Sequence, residues 1–231
     1  MNLAISFSPS FKIFSASSLA LALSAAVLAQ PATGPARRGD RFDQGPKPGS
    51  AAPDFALPTI EGKTLLASAL WSNLPTVVMA GCHTCPIFRG KVEPFEKLVT
   101  DYSNRVHFVI LYTLEAHPKG DLSPYRGVEW VTPANERDGI LMPQPKTTDE
   151  RAQRAQACAS AMKLTVPVVV DKMDNAVWKA YGGAPNSAYL VGRNGKIIEQ
   201  EGWFDPARMR AAIERALHDG KPAPAKAKSK L

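Results

Sequence analysis

The sequence predicts an α/β protein with a mixed central sheet between layers of helices, and three observations support this fold class. Apolar runs of strand length alternate with segments of helical periodicity. One apolar run, 76–80, leads into a helix through the four residues Cys82-His83-Thr84-Cys85. The pair Asn194-Gly195 is typical of a tight hairpin turn between two further strands. Strands that alternate with helices indicate a layered α/β sandwich.

The amino terminus has the pattern of an export signal at 1–29. Lys12 precedes an apolar run, Ile13 to Ala29, and Val27-Leu28-Ala29 has the small-residue spacing of a cleavage site. The alternative is a membrane anchor, but the run contains four serines and is shorter than the roughly 20 apolar residues that a span needs. We therefore expect export to the periplasm or the medium, with no stable membrane insertion after signal removal.

Two further segments have few apolar side chains that a core could bury. Residues 30–50 are rich in Pro, Gly and Arg and predict a disordered tether, and residues 220–231 predict a disordered basic tail. Four lysines of that tail contribute to the formal charge of +7. We expect the tail to be a solubilising end without a nucleic-acid partner. The remaining residues, 51–219, are long enough for one domain with a real core.

The order of the predicted elements gives the fold within 51–219. The elements are two short extended pieces around a turn at 61–62, a strand 76–80, a helix 86–103, a strand 106–111, a proline-rich loop, a helix 147–162, a strand 166–170, a helix 175–181, a hairpin 188–200 and a helix from 205 or 206 to about 218. This order predicts a thioredoxin-like three-layer sandwich, with the cysteines at the carboxyl end of a central strand. The loop of about 35 residues is long enough to indicate a functional segment or an insertion.

The cysteine pair at a helix start points to redox chemistry. A helix amino terminus stabilises a thiolate, so we expect a lowered thiol pKa at Cys85 and an ionised sulfur that solvent can reach. Pro86 suits the first helical turn, and a charged His83 would favour the thiolate further. The alternatives are a structural disulfide and half of a zinc site, although the other His and Cys residues are scattered along the chain. The chain has three cysteines, so one is left over when Cys82 and Cys85 pair. We expect this third cysteine, Cys158, to be a buried spare or a resolving thiol.

Two other features concern the surroundings of the cysteines. Val166-Pro167 begins a predicted buried strand and would suit a cis bond that brings backbone close to the cysteines. Glu115 and His117 lie two residues apart after a strand, which predicts an acid/base pair on one side of an extended chain. The four tryptophans are expected to be core or loop anchors.

Three motifs together resemble the iodothyronine deiodinase family. They are Gly81-Cys82-His83-Thr84-Cys85-Pro86-Ile87-Phe88-Arg89, the run from Val109 to His117, and the run from Pro167 to Asn175 followed by Ala180-Tyr181-Gly182. The resemblance implies a thioredoxin-like fold and a nucleophile that attacks iodine on the rings of thyroid hormones. Cys85 takes the position of the family's selenocysteine, with Thr84 and Pro86 as its matching neighbours. The resemblance also implies that Tyr112, Glu115 and His117 surround the reactive atom and form a proton path.

The sequence departs from that family at the motif and at the hormone clamp. His83 replaces a family cysteine, and Cys82 stands one place earlier, which creates the CxxC spacing of thioredoxins. The family's clamping histidine and arginine align near Pro145 and Ser187, which cannot hold a hormone. The segment 48–57 also resembles the opening of peroxiredoxin-type domains. Those domains usually have a threonine three residues before the reactive cysteine, and Cys82 takes that position here.

These observations predict an exported cysteine-dependent oxidoreductase. Cys85 would attack a disulfide sulfur, a peroxide oxygen or an aryl iodide, and Cys82 would resolve the adduct as an intramolecular disulfide. The alternatives are a general thiol–disulfide oxidoreductase, a peroxiredoxin-like peroxidase, and a binding module whose disulfide is structural. The expected partners are a small-molecule or protein-disulfide substrate and an external thiol reductant, with no bound cofactor or metal. A homodimer is left open.

Overall fold

The structure, a computed structural model, describes residues 44–219. The predicted signal peptide, the tail and residues 30–43 of the predicted tether therefore lie outside the described residues. Residues 44–50 contact the domain, because the Gly49 N–H donates to the Ile197 carbonyl at 2.8 Å and the Ile197 N–H donates to the Ser50 carbonyl at 2.9 Å. Across residues 44–219, no helix has both the length and the apolar character needed to cross a bilayer.

A five-stranded mixed sheet forms the centre of the domain, in the order β5-β4-β3-β6-β7. Its strands are β3 (Thr76–Gly81), β4 (His107–Tyr112), β5 (Val168–Val170), β6 (Ala188–Val191) and β7 (Ile197–Glu201). β3, β4 and β5 run parallel, whereas β6 and β7 are antiparallel to their neighbours. A separate hairpin consists of β1 (Ala56–Pro58) and β2 (Thr64–Leu66).

Helices cover both faces of the sheet, so the predicted three-layer α/β sandwich is confirmed. The helices are α1 (Ala67–Trp71), α2 (Pro86–Tyr102), α3 (Pro133–Arg137), α4 (Thr148–Met162), α5 (Ala176–Ala180) and α6 (Pro206–Asp219). Side chains of α2, α4 and α6 share one core cluster. Side chains of α1 and the β1 strand belong to the other cluster. Successive residues of β3 alternate between these clusters, because neighbouring side chains of a strand point to opposite faces.

The short helices α1 and α3 are absent from the sequence-based prediction, and α3 lies within the predicted loop. Thr132 caps α3, since its hydroxyl accepts a hydrogen bond from the Asn135 N–H at 3.2 Å. Pro133 occupies the first helical position. A capping threonine followed by proline is a recognised helix start, so this signal could have revealed α3.

The prediction of a cis bond beside the cysteines at Val166-Pro167 is wrong. Every peptide bond of residues 44–219 is trans. Pro167 precedes β5, which runs parallel to β4 and, through it, to β3. Pro167 is therefore at the amino-terminal edge of these strands, opposite the cysteines that follow β3. The antiparallel β6 instead brings Pro185, which precedes it, to the cysteine edge.

Candidate active site

Cys85 stands at the junction between β3 and α2. It is the N-cap residue of α2, and its Sγ accepts a hydrogen bond from the Phe88 N–H at 3.4 Å. Pro86 follows at the first helical position, where its missing N–H costs nothing. The strand, the cap and the proline thus direct one sulfur to the amino terminus of a helix, as the sequence predicts.

Cys85 lines a cavity of about 310 Å³. The cavity wall includes three aromatic residues, Tyr125, Trp130 and Trp203, and comes from the start of α2, from the segment 113–147 and from the loops before β6 and after β7. Its lining residues are Cys85, Pro86, Ile87, His117, Tyr125, Arg126, Trp130, Thr132, Pro185 and Trp203. Among these described residues the wall holds one arginine and no carboxylate. The Arg126 guanidinium stacks on the Trp130 ring, 3.7 Å from the ring centroid. Trp130 and Trp203, which the sequence predicts to be core or loop anchors, thus also line the cavity.

The cysteine thiols are not activated in the way that the sequence predicts. Cys85 is only 1% exposed, and this burial raises the pKa of its thiol to about 11, against the lowering effect of the Phe88 and Ile87 N–H groups. Burial also lowers the pKa of His83, so this imidazole is neutral near neutral pH. The expectations of an ionised, exposed Cys85 and of a charged His83 are therefore wrong. Desolvation outweighs the helix terminus at this site.

Cys82 lies behind Cys85, away from the cavity. Its residue is fully buried, and its Sγ accepts a hydrogen bond from the Ala116 N–H at 3.2 Å. The Thr84 hydroxyl lies 3.8 Å from the same sulfur. Burial, and after it the charge of Glu115, raises the pKa of the Cys82 thiol well above its ordinary value. No disulfide joins Cys82, Cys85 and the buried Cys158 in this structure.

Glu115 lies in the interior and joins the strand end to the cysteine motif. One carboxylate oxygen accepts the Thr84 N–H at 2.8 Å, and the other accepts the Tyr112 hydroxyl at 2.5 Å. The Tyr112 hydroxyl in turn accepts the His83 N–H at 3.3 Å. Tyr112, Thr84 and Glu115 are thus brought together, but neither Tyr112 nor Glu115 lines the cavity beside Cys85.

His117 reaches the same motif from the cavity side. Its backbone N–H donates to the Thr84 hydroxyl at 3.1 Å, and its Nδ1 lies 3.2 Å from the Trp130 carbonyl oxygen. A carbonyl oxygen only accepts hydrogen bonds, so Nδ1 carries the proton and Nε2 keeps a lone pair. Burial lowers the pKa of this imidazole. Glu115 and His117 each contact Thr84, and the hydrogen bonds of the described residues do not join them as the predicted acid/base pair.

Asn135 and Arg89 form a support for the motif that the sequence analysis missed. The buried Asn135 amide donates to the Thr84 carbonyl at 2.8 Å and accepts from the Arg89 guanidinium at 2.9 Å. Arg89 also donates to the His83 carbonyl at 2.9 Å and pairs with Asp138 at 2.8 Å. Only the cap of α3 hints at this arrangement in the sequence, because these residues are far apart along the chain.

The two positions that the resemblance aligns with a hormone clamp lie outside the cavity. Pro145 and Ser187 are both buried, and neither lines the cavity beside Cys85. The cavity's cation is Arg126, which comes from the segment 113–147. Within residues 44–219, no group of three or more His, Cys, Asp or Glu side chains is arranged to hold a metal ion.

Comparisons with known proteins agree with this architecture. A solved structure from Chlorobium tepidum, a candidate thiol:disulfide interchange protein DsbE, superposes with a TM-score of 0.52 at 19% identity, covering 74% of this chain and 99% of that one. Peroxidoxin BcpB from Mycobacterium tuberculosis superposes with a TM-score of 0.51 at 16% identity, covering 77% and 99%. These similarities establish the thioredoxin-like fold.

Sequence comparisons identify the family. The human thyroxine 5-deiodinase is 29% identical over 157 residues, which cover 65% of this chain and 47% of that protein. The chain thus spans about half the length of the curated relatives that it matches. The family model for iodothyronine deiodinases matches residues 36–216. Together these similarities support a redox function, and the chain belongs to the iodothyronine deiodinase family.

Proposed function

We propose that this protein is an exported cysteine-dependent oxidoreductase in which Cys85 is the nucleophile and Cys82 is the resolving thiol. The observation that carries the proposal is that Cys85 lines the cavity whereas Cys82 does not, although both residues are almost fully buried. Export rests on the sequence of residues 1–29 alone. The electrons come from an external thiol, and no bound cofactor takes part.

His117 is the base that this nucleophile requires. Because burial holds the Cys85 thiol in its protonated form, a neighbouring group must remove the proton before attack. His117 lines the same cavity, is neutral near neutral pH, and keeps the Nε2 lone pair. The imidazolium that results can return the proton to a leaving group.

Thr84, Glu115 and Tyr112 hold the motif behind the reacting sulfur. Thr84 is held from both sides, because its N–H donates to the Glu115 carboxylate and its hydroxyl accepts the His117 backbone N–H. The family resemblance assigns a proton path to the tyrosine, the glutamate and the histidine. The hydrogen bond from the Tyr112 hydroxyl to Glu115 supports the tyrosine–glutamate part of that assignment, whereas the His117 imidazole contacts the Trp130 carbonyl instead.

The cavity suits an aromatic electrophile. Aromatic side chains stack with flat rings, and the Arg126 guanidinium favours an anionic substituent. With an iodinated ring, the Cys85 thiolate would bond to iodine, the carbon–iodine bond would break, and the ring carbon would take a proton. Cys82 would then attack the Cys85 sulfur and expel iodide, leaving a disulfide. This chain has Pro145 and Ser187 where the family has the histidine and arginine that clamp thyroxine, so we propose an iodinated phenol as the substrate class.

A second candidate is a general thiol–disulfide oxidoreductase. The CxxC spacing from Cys82 to Cys85 favours it, because both cysteines lie in one turn between β3 and α2, in which the Cys85 N–H donates to the Cys82 carbonyl at 3.3 Å. The same two sulfurs would then exchange with a substrate disulfide. A peroxide substrate would use the same attacking and resolving sulfurs.

The test is turnover of the purified mature protein with dithiothreitol against an iodophenol, hydrogen peroxide and a disulfide-containing protein. We expect Cys85→Ser to abolish turnover and Cys82→Ser to accumulate a mixed adduct on Cys85. Cys158→Ala is the matched control, since this third cysteine is buried in α4 outside the cavity, and it should retain turnover. The relative rates rank the three electrophiles.

Full activity of Cys85→Ser would contradict the proposed nucleophile. A wild-type protein without turnover on any of the three electrophiles would instead favour a binding module.

A further inference from the structure

The two sulfurs of the motif differ in what covers them, and this difference bears on how the enzyme is reduced after each turnover. Cys85 lines the cavity. Cys82 is fully buried and is covered by the segment 113–147, whose Ala116 N–H donates to Cys82 Sγ at 3.2 Å. A reductant that enters the cavity meets one sulfur and not the other.

The cover over Cys82 is fixed at several points around Thr84. Glu115 accepts the Thr84 N–H, the His117 N–H donates to the Thr84 hydroxyl, and the Asn135 amide donates to the Thr84 carbonyl. Gln144 holds Glu115 from behind, donating to its carbonyl at 2.6 Å and accepting its N–H at 2.9 Å. These hydrogen bonds hold the segment 113–147 closed over Cys82, because opening it would leave several buried polar groups unpaired.

From this geometry we propose that the thiol reductant enters the cavity used by the first substrate and attacks Cys85, with Cys82 as the leaving group. The inference rests on the proposed function, because it requires the Cys82–Cys85 disulfide formed during turnover. In thioredoxin-type CxxC sites with an exposed first cysteine, access would direct the attack to that first sulfur. Here access directs it to the second.

The atoms and electrons of this step balance. A thiolate RS⁻ attacks Cys85 Sγ, the Cys82–Cys85 bond breaks, and Cys82 leaves as a thiolate that takes up a proton. A second thiolate attacks the R sulfur of the Cys85 mixed disulfide, releases RSSR and returns Cys85. Two thiols are oxidised and one disulfide is reduced. The Ala116 N–H stabilises the departing Cys82 sulfur, and the raised pKa of this thiol means that the sulfur takes up its proton as it leaves.

The cavity also defines the class of reductant. A volume of about 310 Å³ accommodates a thiol of amino-acid to tripeptide size. Arg126 is the cation of the described wall, and no carboxylate lines it. The reductant is therefore a small thiol that carries a carboxylate, and it shares one site with the electrophile.

Glutathione serves as the probe for the site of attack. The wild-type protein is oxidised with diamide, treated briefly with glutathione and quenched with N-ethylmaleimide in denaturant, so that buried thiols are also labelled, and its peptides are analysed by mass spectrometry. We expect glutathione on Cys85 and maleimide on Cys82. Glutathione on Cys82 with maleimide on Cys85 would overturn the proposal, as would a failure to form any Cys82–Cys85 disulfide.

Single-cysteine proteins test access without any disulfide. Cys82→Ala with Cys158→Ala leaves Cys85, and Cys85→Ala with Cys158→Ala leaves Cys82. We expect Cys85 to react with dithiobis(nitrobenzoate) at least about tenfold faster than Cys82, since thiol exchange depends on access as well as on thiolate fraction. Equal rates, or a faster Cys82, would contradict the inference even if turnover still required Cys85. Loss of the proposed function would appear separately, as full turnover by Cys85→Ser.

Arg126→Gln tests the anionic part of the proposal. We expect it to raise the KM for glutathione and to leave the KM for the uncharged thiol 2-mercaptoethanol unchanged. An equal change for both thiols would show that Arg126 does not recognise the carboxylate.

Discussion

Replacing Glu115 by Gln is the sharpest test of the site, because the carboxylate has two separable effects. It accepts two hydrogen bonds, at 2.8 Å from the Thr84 N–H and at 2.5 Å from the Tyr112 hydroxyl. Each charge-assisted bond contributes about 1.5–3 kcal/mol and a neutral one about 1 kcal/mol, so E115Q should lower the free energy of unfolding by about 1–4 kcal/mol. E115A should cost more, because it leaves two buried donors unpaired.

The second effect of Glu115 is electrostatic. Whereas its hydrogen bonds stabilise the fold, its negative charge makes the Cys82 thiol less reactive. After burial, its charge is the largest cause of the raised pKa of the Cys82 thiol. E115Q should therefore lower the pKa of this thiol while turnover falls. A Cys82 thiol that becomes more reactive while turnover falls would thus separate the electrostatic effect of Glu115 from its effect on catalysis.

The measurement is the pH dependence of iodoacetamide alkylation of Cys82 in a background with Cys85→Ala and Cys158→Ala, with and without E115Q. Urea unfolding of the same proteins gives the change in stability. A thiol pKa that stays constant or rises in E115Q would refute this reasoning. Lower stability alone would not rescue it, because a merely structural glutamate would produce that too.

Two further predictions concern groups outside the nucleophile. N135A should lower the free energy of unfolding by about 1–3 kcal/mol, because the Thr84 carbonyl and Arg89 lose a buried partner. The control is N104A, since Asn104 is exposed. Equal losses of stability in urea unfolding of the two variants would contradict the role of Asn135. Burial raises the pKa of Glu201 from 4.5 to about 7, so the folded state binds the proton more tightly and stability should fall as the pH rises through this range. E201Q should flatten that fall when unfolding is measured at about pH 5 and about pH 8, and an unchanged slope would exclude Glu201 as its source.

Much of the fold follows from local signals in the sequence. The helical spacing of apolar residues predicts α2, the Thr147 cap predicts the start of α4, and Asn194-Gly195 predicts the β6–β7 hairpin. The position of the cysteine motif at the end of a central strand follows from the order of the elements. These signals act over a few residues, so one chain without its tertiary contacts suffices to identify them.

The chemistry of the site was decided by parts of the chain that meet only after folding. The segment 113–147 buries Cys82, supplies His117 to the cavity, and raises the thiol pKa values by excluding water, whereas the motif by itself predicts an ionised sulfur. Sheet topology likewise brings Pro185 rather than Pro167 to the cysteine edge. Residue types and spacing identify the nucleophile, but desolvation depends on distant neighbours, and these set its protonation and its access.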